Sequence, residues 1–499
     1  MNKLLIYITS AAVGLVLLSS CKKYLSLQPQ DGITRQEYWQ TKEQVQSAVT
    51  GCYASLLGDP TGNDRPLSEY LFMWGELRAD MVAPGLGVSQ AETDIMNVNT
   101  LSTNAMVKWN AVYRTINYCN TVIDFAPGVL QKDNTFTQGQ LNGALAEVRA
   151  LRALMYFYLV RSFRDVPLKL KSTSSDTDLQ QLAKTSADSI LTQVTADLAF
   201  ADSNAVVTFG SQASDKGRIT KYTVKAIEAD VYLWMEKYQQ SVAACDFIIN
   251  SGKFGLIAGD NGWFNTLYYK GNSNESIFEF QYDAQKLNSF YNIFLTTRQR
   301  YLASPYVMDE LYTIDLLNDQ NKDIRGDGSA VRTSDNSIWK YVGVTYNTAR
   351  TTDASYAHWF VYRYAEILLT KAEALNQIGG RGQEALDLVN QVRNRAHALA
   401  ATDTHPDVTD QVALGDYILA ERGRELAFEG KRWYDILRNA KRNNYSRPDL
   451  LTSMLVRSVP AQLQQSAINK FRDPNCHYFP IYLYEIQTDP NLVQNPFYK

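Results

Sequence analysis

The chain has 499 residues, with 49 basic and 52 acidic side chains and a formal charge of −3. That balance argues against an electrostatic binder of nucleic acid or of an anionic membrane surface. The length suits one large domain or two intimately packed ones, with ample surface to bury. Five cysteines without a C-x-x-C pair argue against a disulfide scaffold or a zinc framework. Cys52, Cys119, Cys245 and Cys476 are expected as single buried thiols.

In chain order, Lys3 precedes an apolar run from Leu4 to Leu18 that closes on Leu18-Ser19-Ser20-Cys21. The run is shorter than the ~20 residues needed to span a bilayer, and small residues before the cysteine read as a cleavage site. The box resembles the lipobox of bacterial lipoproteins. That resemblance implies removal of residues 1–20 and acylation of Cys21, a lipid anchor tethering the chain to a membrane. Residues 21–32, with Pro29, predict an anchor and linker, and 33–499 one helical domain.

Apolar residues then recur at helical spacing. Val148, Leu151, Met155 and Leu159 form one stripe, ended by Asp165-Val166-Pro167. Val224, Ile227, Val231 and Trp234 form a second, with Thr220 and Thr223 as caps. Leu368, Ala372 and Leu375 form a third; Ala385, Leu388, Val389, Val392 and Ala396 form a fourth beyond a Gly379-Gly380 turn. Residues 222–250 and 364–397 read as helix–turn–helix units of about 30 residues, close to divergent tetratricopeptide (TPR) repeats. The copies look scattered, in an irregular scaffold rather than a solenoid. The fold class is therefore all-α, built on TPR-like pairs. Long polar and aromatic segments at 58–104, 169–184, 251–274 and 285–357 are expected as functional loops.

Catalytic signatures are missing. The four histidines are isolated, and no G-x-S-x-G elbow or Walker A loop occurs. Gly380-x-Gly382-x-x-Ala385 follows a helix rather than a strand, the wrong context for a dinucleotide. Asp319, Asn321 and Asp323 alternate as at the start of an EF-hand, but Ile324 stands where glycine is needed and Ala330 where glutamate is needed. The stretch reads as a solvated loop, so no cofactor is expected. Glu421, Glu425 and Glu429 form a carboxylate row among Arg422, Arg424 and Arg432. Arginines lower a carboxyl pKa whereas an acid catalyst needs it raised, so an ion-pair lattice is expected.

The same segment carries the most specific pattern. Glu421-Arg422-Gly423-Arg424-Glu425-Leu426-Ala427-Phe428-Glu429-Gly430-Lys431-Arg432-Trp433-Tyr434-Asp435-Ile436-Leu437-Arg438 resembles a C-terminal signature of the SusD/RagB family. Trp109 to Asn120, Glu147 to Leu168, Gly217 to Thr223, Arg363 to Leu369 and Pro480 to Pro496 resemble further blocks in the family's order. The resemblance implies a helical, non-enzymatic lipoprotein of the outer membrane. It also implies a SusC-like TonB-dependent transporter as partner, and capture of glycans or other nutrients for import. Arg164 departs from the family's glycine. Lys22 and Lys23 depart from the acidic residues that often follow the anchor, which weakens surface display but not anchoring.

Ligand residues do not lie in these shared blocks. Sugars stack on aromatic faces and are fixed by Asn, Asp, Gln or Arg, which nominates Trp74 with Arg78 and Asp80, Tyr291 with Asn288 and Asn292, and Trp339 with Tyr341. Trp263, Trp359 and Tyr346 stand in reserve, and Trp109, Trp234 and Trp433 belong to the core. Three alternatives stay open. The same scaffold could take a peptide or another nutrient, or be a TPR-type adaptor with a protein partner only. A glycoside hydrolase would need two carboxylates about 5–10 Å apart across a cleft.

Overall fold

A computed structural model describes residues 35–59, 62, 64–173 and 179–499; the leader, Cys21 and the 21–32 linker lie outside them. Helices dominate. α1 (Lys42–Ala54), α2 (Asn110–Phe125), α3 (Gln138–Phe163), α4 (Ala187–Asn204), α5 (Lys221–Trp234), α6 (Tyr238–Asn250), α7 (Tyr364–Ile378), α8 (Gly382–Arg395) and α9 (Gln411–Glu425) each pack on the next in turn. The two pairs that look scattered in sequence, α5–α6 and α7–α8, are consecutive layers in space. The 113 residues between Asn250 and Tyr364 are a detour from one continuous stack.

Local chemistry explains the helix ends. Thr41 with Gln44, Thr137 with Gln140 and Thr220 with Thr223 form reciprocal capping boxes that satisfy otherwise orphaned N–H groups. α3 is the central pillar. Its stripe Val148, Leu151, Met155 and Leu159 is wholly buried, and from Leu145 to Phe163 only Arg149 is not buried. Its buried charged residues Glu147, Arg152 and Arg161 each meet an opposite charge on another segment. Arg152 grips Asp197 of α4 through two bonds of 2.8 Å, Arg161 meets Asp230 of α5 at 3.1 Å, and Glu147 meets Arg218 at 2.7 Å. The recurring block thus reads as a set of bolts between layers. α3 stops at Arg164, whose φ of +69° is a conformation suited to glycine.

The expected loops are less loop-like than predicted. Residues Leu67–Glu76 form a helix in which every residue is buried. Ser276–Phe280 pairs antiparallel with Trp359–Arg363, and Val82–Pro84, Tyr301–Ala303, Ser337–Ile338 and Val331–Arg332 align as a small sheet in that order. Cys52, Cys119, Cys245 and Cys476 are buried and unbridged. No described helix is long and apolar enough to cross a membrane.

Candidate functional site

The carboxylate row at the end of α9 lies inside the protein. Glu421 meets Arg325 at 2.6 Å and Arg393 at 2.9 Å; Glu425 meets Arg325 at 2.9 Å and Arg363 and Arg395 at 2.5 Å each; Glu429 meets Lys340 at 2.8 Å and Arg363 at 3.0 Å. Burial acts to raise all three carboxyls, but these cations outweigh it and hold them below the usual range. The row is a lattice, as its neighbours suggested. The partners differ from those expected, because only Arg424 of the local arginines touches it, at 3.2 Å to Glu421. Arg422 instead binds Asp435 at 2.9 Å, and Arg432 binds Asp80 at 2.8 Å. Burial raises several acids outside the row, among them Glu147, Glu228, Glu366 and Glu485, and Glu76 rises to about 8. Glu76 is pushed up by burial, against the amides of Gly430 and Lys431 that donate to it. It is fully enclosed and lines none of the cavities described here.

Most nominated ligand residues are corrected by burial. Trp74 is fully buried, donates to the Met106 carbonyl at 2.9 Å and packs edge-on against Phe163. Arg78 is sandwiched between the rings of Phe479 and Trp433, at 3.7 and 4.5 Å, and donates to the His477 carbonyl. Asp80 is spent on Arg432. Trp339 is fully buried with its indole N–H on the Thr345 carbonyl, and Tyr341 is buried against Trp359 at 5.5 Å. Asn288 is buried and donates to the Ala357 carbonyl at 2.7 Å. The physical reason is shared: aromatic rings bury 150–250 Å² each, and the polar residues beside them are engaged inside the core, Arg78 by ring faces and one carbonyl, Asp80 by Arg432 and Asn288 by a carbonyl. Trp263 and Trp359 are buried too. Tyr291 is half-buried and Asn292 exposed, on the short helix Phe290–Phe294. Trp109, Trp234 and Trp433 lie in the core, as assigned.

Tyr346 is the nominated aromatic ring that stays open, 45% exposed, on the wall of a cavity of about 260 Å³. One face of its ring rests on Gly328, where a Cβ would come within 1.9 Å of the ring carbon and φ is +82°; only glycine fits beneath it. The Lys322 ammonium stands 5.0 Å from the ring centre. The hydroxyl donates to Asp327, which raises the phenol pKa, and Asp327 is itself fixed by the N–H and hydroxyl of Thr333. Exposed Asp319, Gln320 and Asn321 complete the wall. The acid-rich stretch 315–328 supplies polar lining to this cavity. Within it Asp323 faces Arg325 at 2.6 Å.

The cavity floor is bolted to the lattice. Arg325 joins Asp323 to Glu421 and Glu425, Tyr312 donates to the Arg424 carbonyl, and Arg424 donates to the Leu311 carbonyl at 2.9 Å. The buried signature segment thus positions a polar loop site that contains none of its own residues. At about 260 Å³ the space sits below the ~300–1,000 Å³ of drug-sized pockets, and it matches one sugar ring better than an extended chain.

Comparison with known proteins adds to this geometry. Residues 261–498 match the model of the SusD family, and residues 34–233 match a model described as starch-binding, associating with outer membrane. Two SusD-like proteins of Formosa agariphila are 28% and 27% identical to this chain, over 86% and 81% of it and 90% and 85% of their own lengths. A SusD superfamily structure from Bacteroides vulgatus superposes with a TM-score of 0.73 at 20% identity, covering 92% of this chain and all of that one. A structure from Bacteroides fragilis described as a SusD-like carbohydrate binding protein gives 0.70 at 21%, over 91% of this chain and all of that one. The helical stack is therefore the SusD fold, and the chain belongs to the SusD family.

Proposed function

We propose that the protein is an outer-membrane lipoprotein, anchored through Cys21, that captures glycans without chemically changing them. On this reading it passes them to a SusC-like TonB-dependent transporter. The observation that carries the reading is the contrast in carboxylates. The three on one helix face are locked by arginine and lysine, which leaves none of the three free to act as acid, while an open tyrosine face with amide, carboxylate and ammonium neighbours lines a cavity joined to them through Asp323 and Arg325. Such a set grips hydroxyls and one apolar ring face. The family model's association with the outer membrane and the carbohydrate-binding relative support the same reading. Tyr291 and Asn292 are proposed as a secondary contact, being accessible and on a short helix of the same long segment.

The test is calorimetry of neutral oligosaccharides against the wild-type chain and Tyr346→Ala. Binding should weaken roughly ten-fold, on the scale of ~1–2 kcal/mol per stacked ring, with the melting curve unmoved and no product formed. Unchanged affinity moves the site elsewhere. Appearance of cleaved sugar returns the glycosidase alternative. For the anchor, Cys21→Ser should shift the protein from the detergent phase to the aqueous phase.

A further inference from the structure

Lys216 has a buried ammonium with no carboxylate to meet it. The residue is 7% exposed. Its Nζ donates to the Ser276 carbonyl at 2.5 Å and stands 4.2 Å from the centre of the Phe254 ring, and among the described residues it forms no ion pair. The two acids nearest in effect make no ion pair with it, although Glu279 keeps a buried Oε1 without a hydrogen-bond partner. Asp215 accepts from the hydroxyl of Thr208 and the amide of Phe209, and Glu279 accepts from the amide of Asn272 and pairs with His358 at 2.7 Å. Burial lowers the amine to about 8, outweighing the opposite pull of Glu279 and Asp215, the direction expected for a cation taken from water.

Lys216 is among the residues lining a cleft of about 460 Å³, between residues 207–222 and 253–274. Phe254 and Tyr222 meet edge-to-face at 5.1 Å to form an apolar wall, while Lys253 and Asn274 stand exposed at the rim. We propose that this cleft is a second ligand site and that it takes a saccharide bearing a carboxylate, a uronic acid residue. The acid supplies the anion that Lys216 lacks and that Lys253 reinforces, Asn274 reaches a hydroxyl, and the sugar's apolar face lies against the rings. A free inorganic anion would leave the ring wall and most of the volume unused. The site shares no lining residue with the cavity at Tyr346, and it rests on the proposed function only for the saccharide class.

The experiment is calorimetry of the intact chain in detergent with uronic-acid disaccharides, each paired with its neutral counterpart. The acid should bind at least about ten-fold tighter than the neutral sugar in the wild type and in Tyr346→Ala. In Lys216→Met the preference should fall below about two-fold, and in Lys253→Gln by about two- to three-fold. Equal affinity for acid and neutral sugar, binding of neither, or a preference retained in Lys216→Met overturns the site. An acid preference that vanishes in Tyr346→Ala places the acid in the other cavity, and so overturns this inference while leaving the proposed function standing. Tighter binding of an acidic peptide than of any uronide overturns the ligand class. Should Lys216→Met fail to fold, the wild-type pairing and the exposed Lys253→Gln still decide.

Discussion

The lattice around Glu425 and the cavity beside Tyr346 draw on similar chemistry, share Asp323 and Arg325 along their boundary, and do opposite things. In the lattice Arg363, Glu275, Glu421, Glu425 and Glu429 are all 2% exposed or less, and each meets an opposite charge within 3.0 Å. In the cavity Asp319, Gln320, Asn321 and Lys322 are exposed and keep bonding capacity facing water. Polar residue types alone do not make a site. Carboxylates saturated by buried cations become structure; the same types left partly unsatisfied at a ring face become a place where something else can bind.

The largest test of that contrast is Arg363→Met. Arg363 bridges Glu275, Glu425 and Glu429, so its loss leaves several buried carboxylates short of charge. Removing one partner of a buried pair costs about 3–5 kcal/mol, and a three-way bridge should reach the upper end, read as a drop in urea midpoint. Sugar binding should disappear only with the fold. Acid should act on the same groups. The carboxyls of Glu421, Glu425 and Glu429 lie below their ordinary value of 4.5 in the folded chain. Their contribution is complete above that value and is lost as pH falls through the lowered folded values. The share of the unfolding free energy that these three groups supply should hold down to about pH 5 and decline below it. A stability insensitive to pH between about 5 and 3 would break the comparison.

Glu76 titrates with the opposite sign. Its folded value of about 8 exceeds 4.5, so its favourable contribution is whole below pH 4.5 and is lost as pH rises toward 8. In that window the unfolded chain releases a proton that the native state retains. A glutamine side chain in its place would keep an oxygen for the amides of Gly430 and Lys431 with no proton to lose. Glu76→Gln should therefore gain stability relative to wild type between about pH 5 and 9, by about 2–4 kcal/mol at the upper end. Parallel pH profiles for the two proteins would show that Glu76 is charged in its buried site.

These contrasts also mark what the amino-acid order makes legible. A stripe such as Val148, Leu151, Met155 and Leu159 reports a buried helix face through its spacing, and Thr220 reports a cap through its place before that spacing. The three glutamates among arginines read as a lattice because the signs sit side by side. The helix Leu67–Glu76 has no stripe, being buried all round, and so its stretch passes for a loop and Trp74 for a platform. The stacking of α6 on α7 spans the 113 residues between them, and periodicity tells which face is buried but not against what. Arg325, Arg363, Arg393 and Arg395 reach the lattice from three other segments, beyond anything local order records. Tyr346 stands seven positions from Trp339, yet one ring is open and the other enclosed; Gly328, which holds the open ring outward, is eighteen residues away.

A smaller effect separates the ring of Tyr346 from its hydroxyl. The hydroxyl is engaged with Asp327, so the face rather than the edge is offered to a ligand. Tyr346→Phe should keep oligosaccharide binding within about three-fold, the scale of one partly exposed hydrogen bond at ~0.5–1 kcal/mol, where Tyr346→Ala loses about ten-fold. Equal losses in the two variants would show that the hydroxyl, not the face, does the binding.

The smallest effect lies outside both regions and serves as their control. Arg164 ends α3 with φ +69° and ψ −85°, a backbone state that strains any residue with a Cβ at a cost of about 1–3 kcal/mol. Its guanidinium returns little, one exposed bond of 3.2 Å to Asn475. Arg164→Gly releases the strain but raises the entropy of the unfolded chain by about 0.5–1 kcal/mol. The balance favours the variant by about 1 kcal/mol, a rise in melting temperature of a few degrees at most for a chain of this size. Binding at Tyr346 and at Lys216 should not change, because neither cavity touches residue 164. A destabilised Arg164→Gly would mean that the bond to Asn475 outweighs the strain, and that the turn after α3 is held by its side chain rather than tolerated by its backbone.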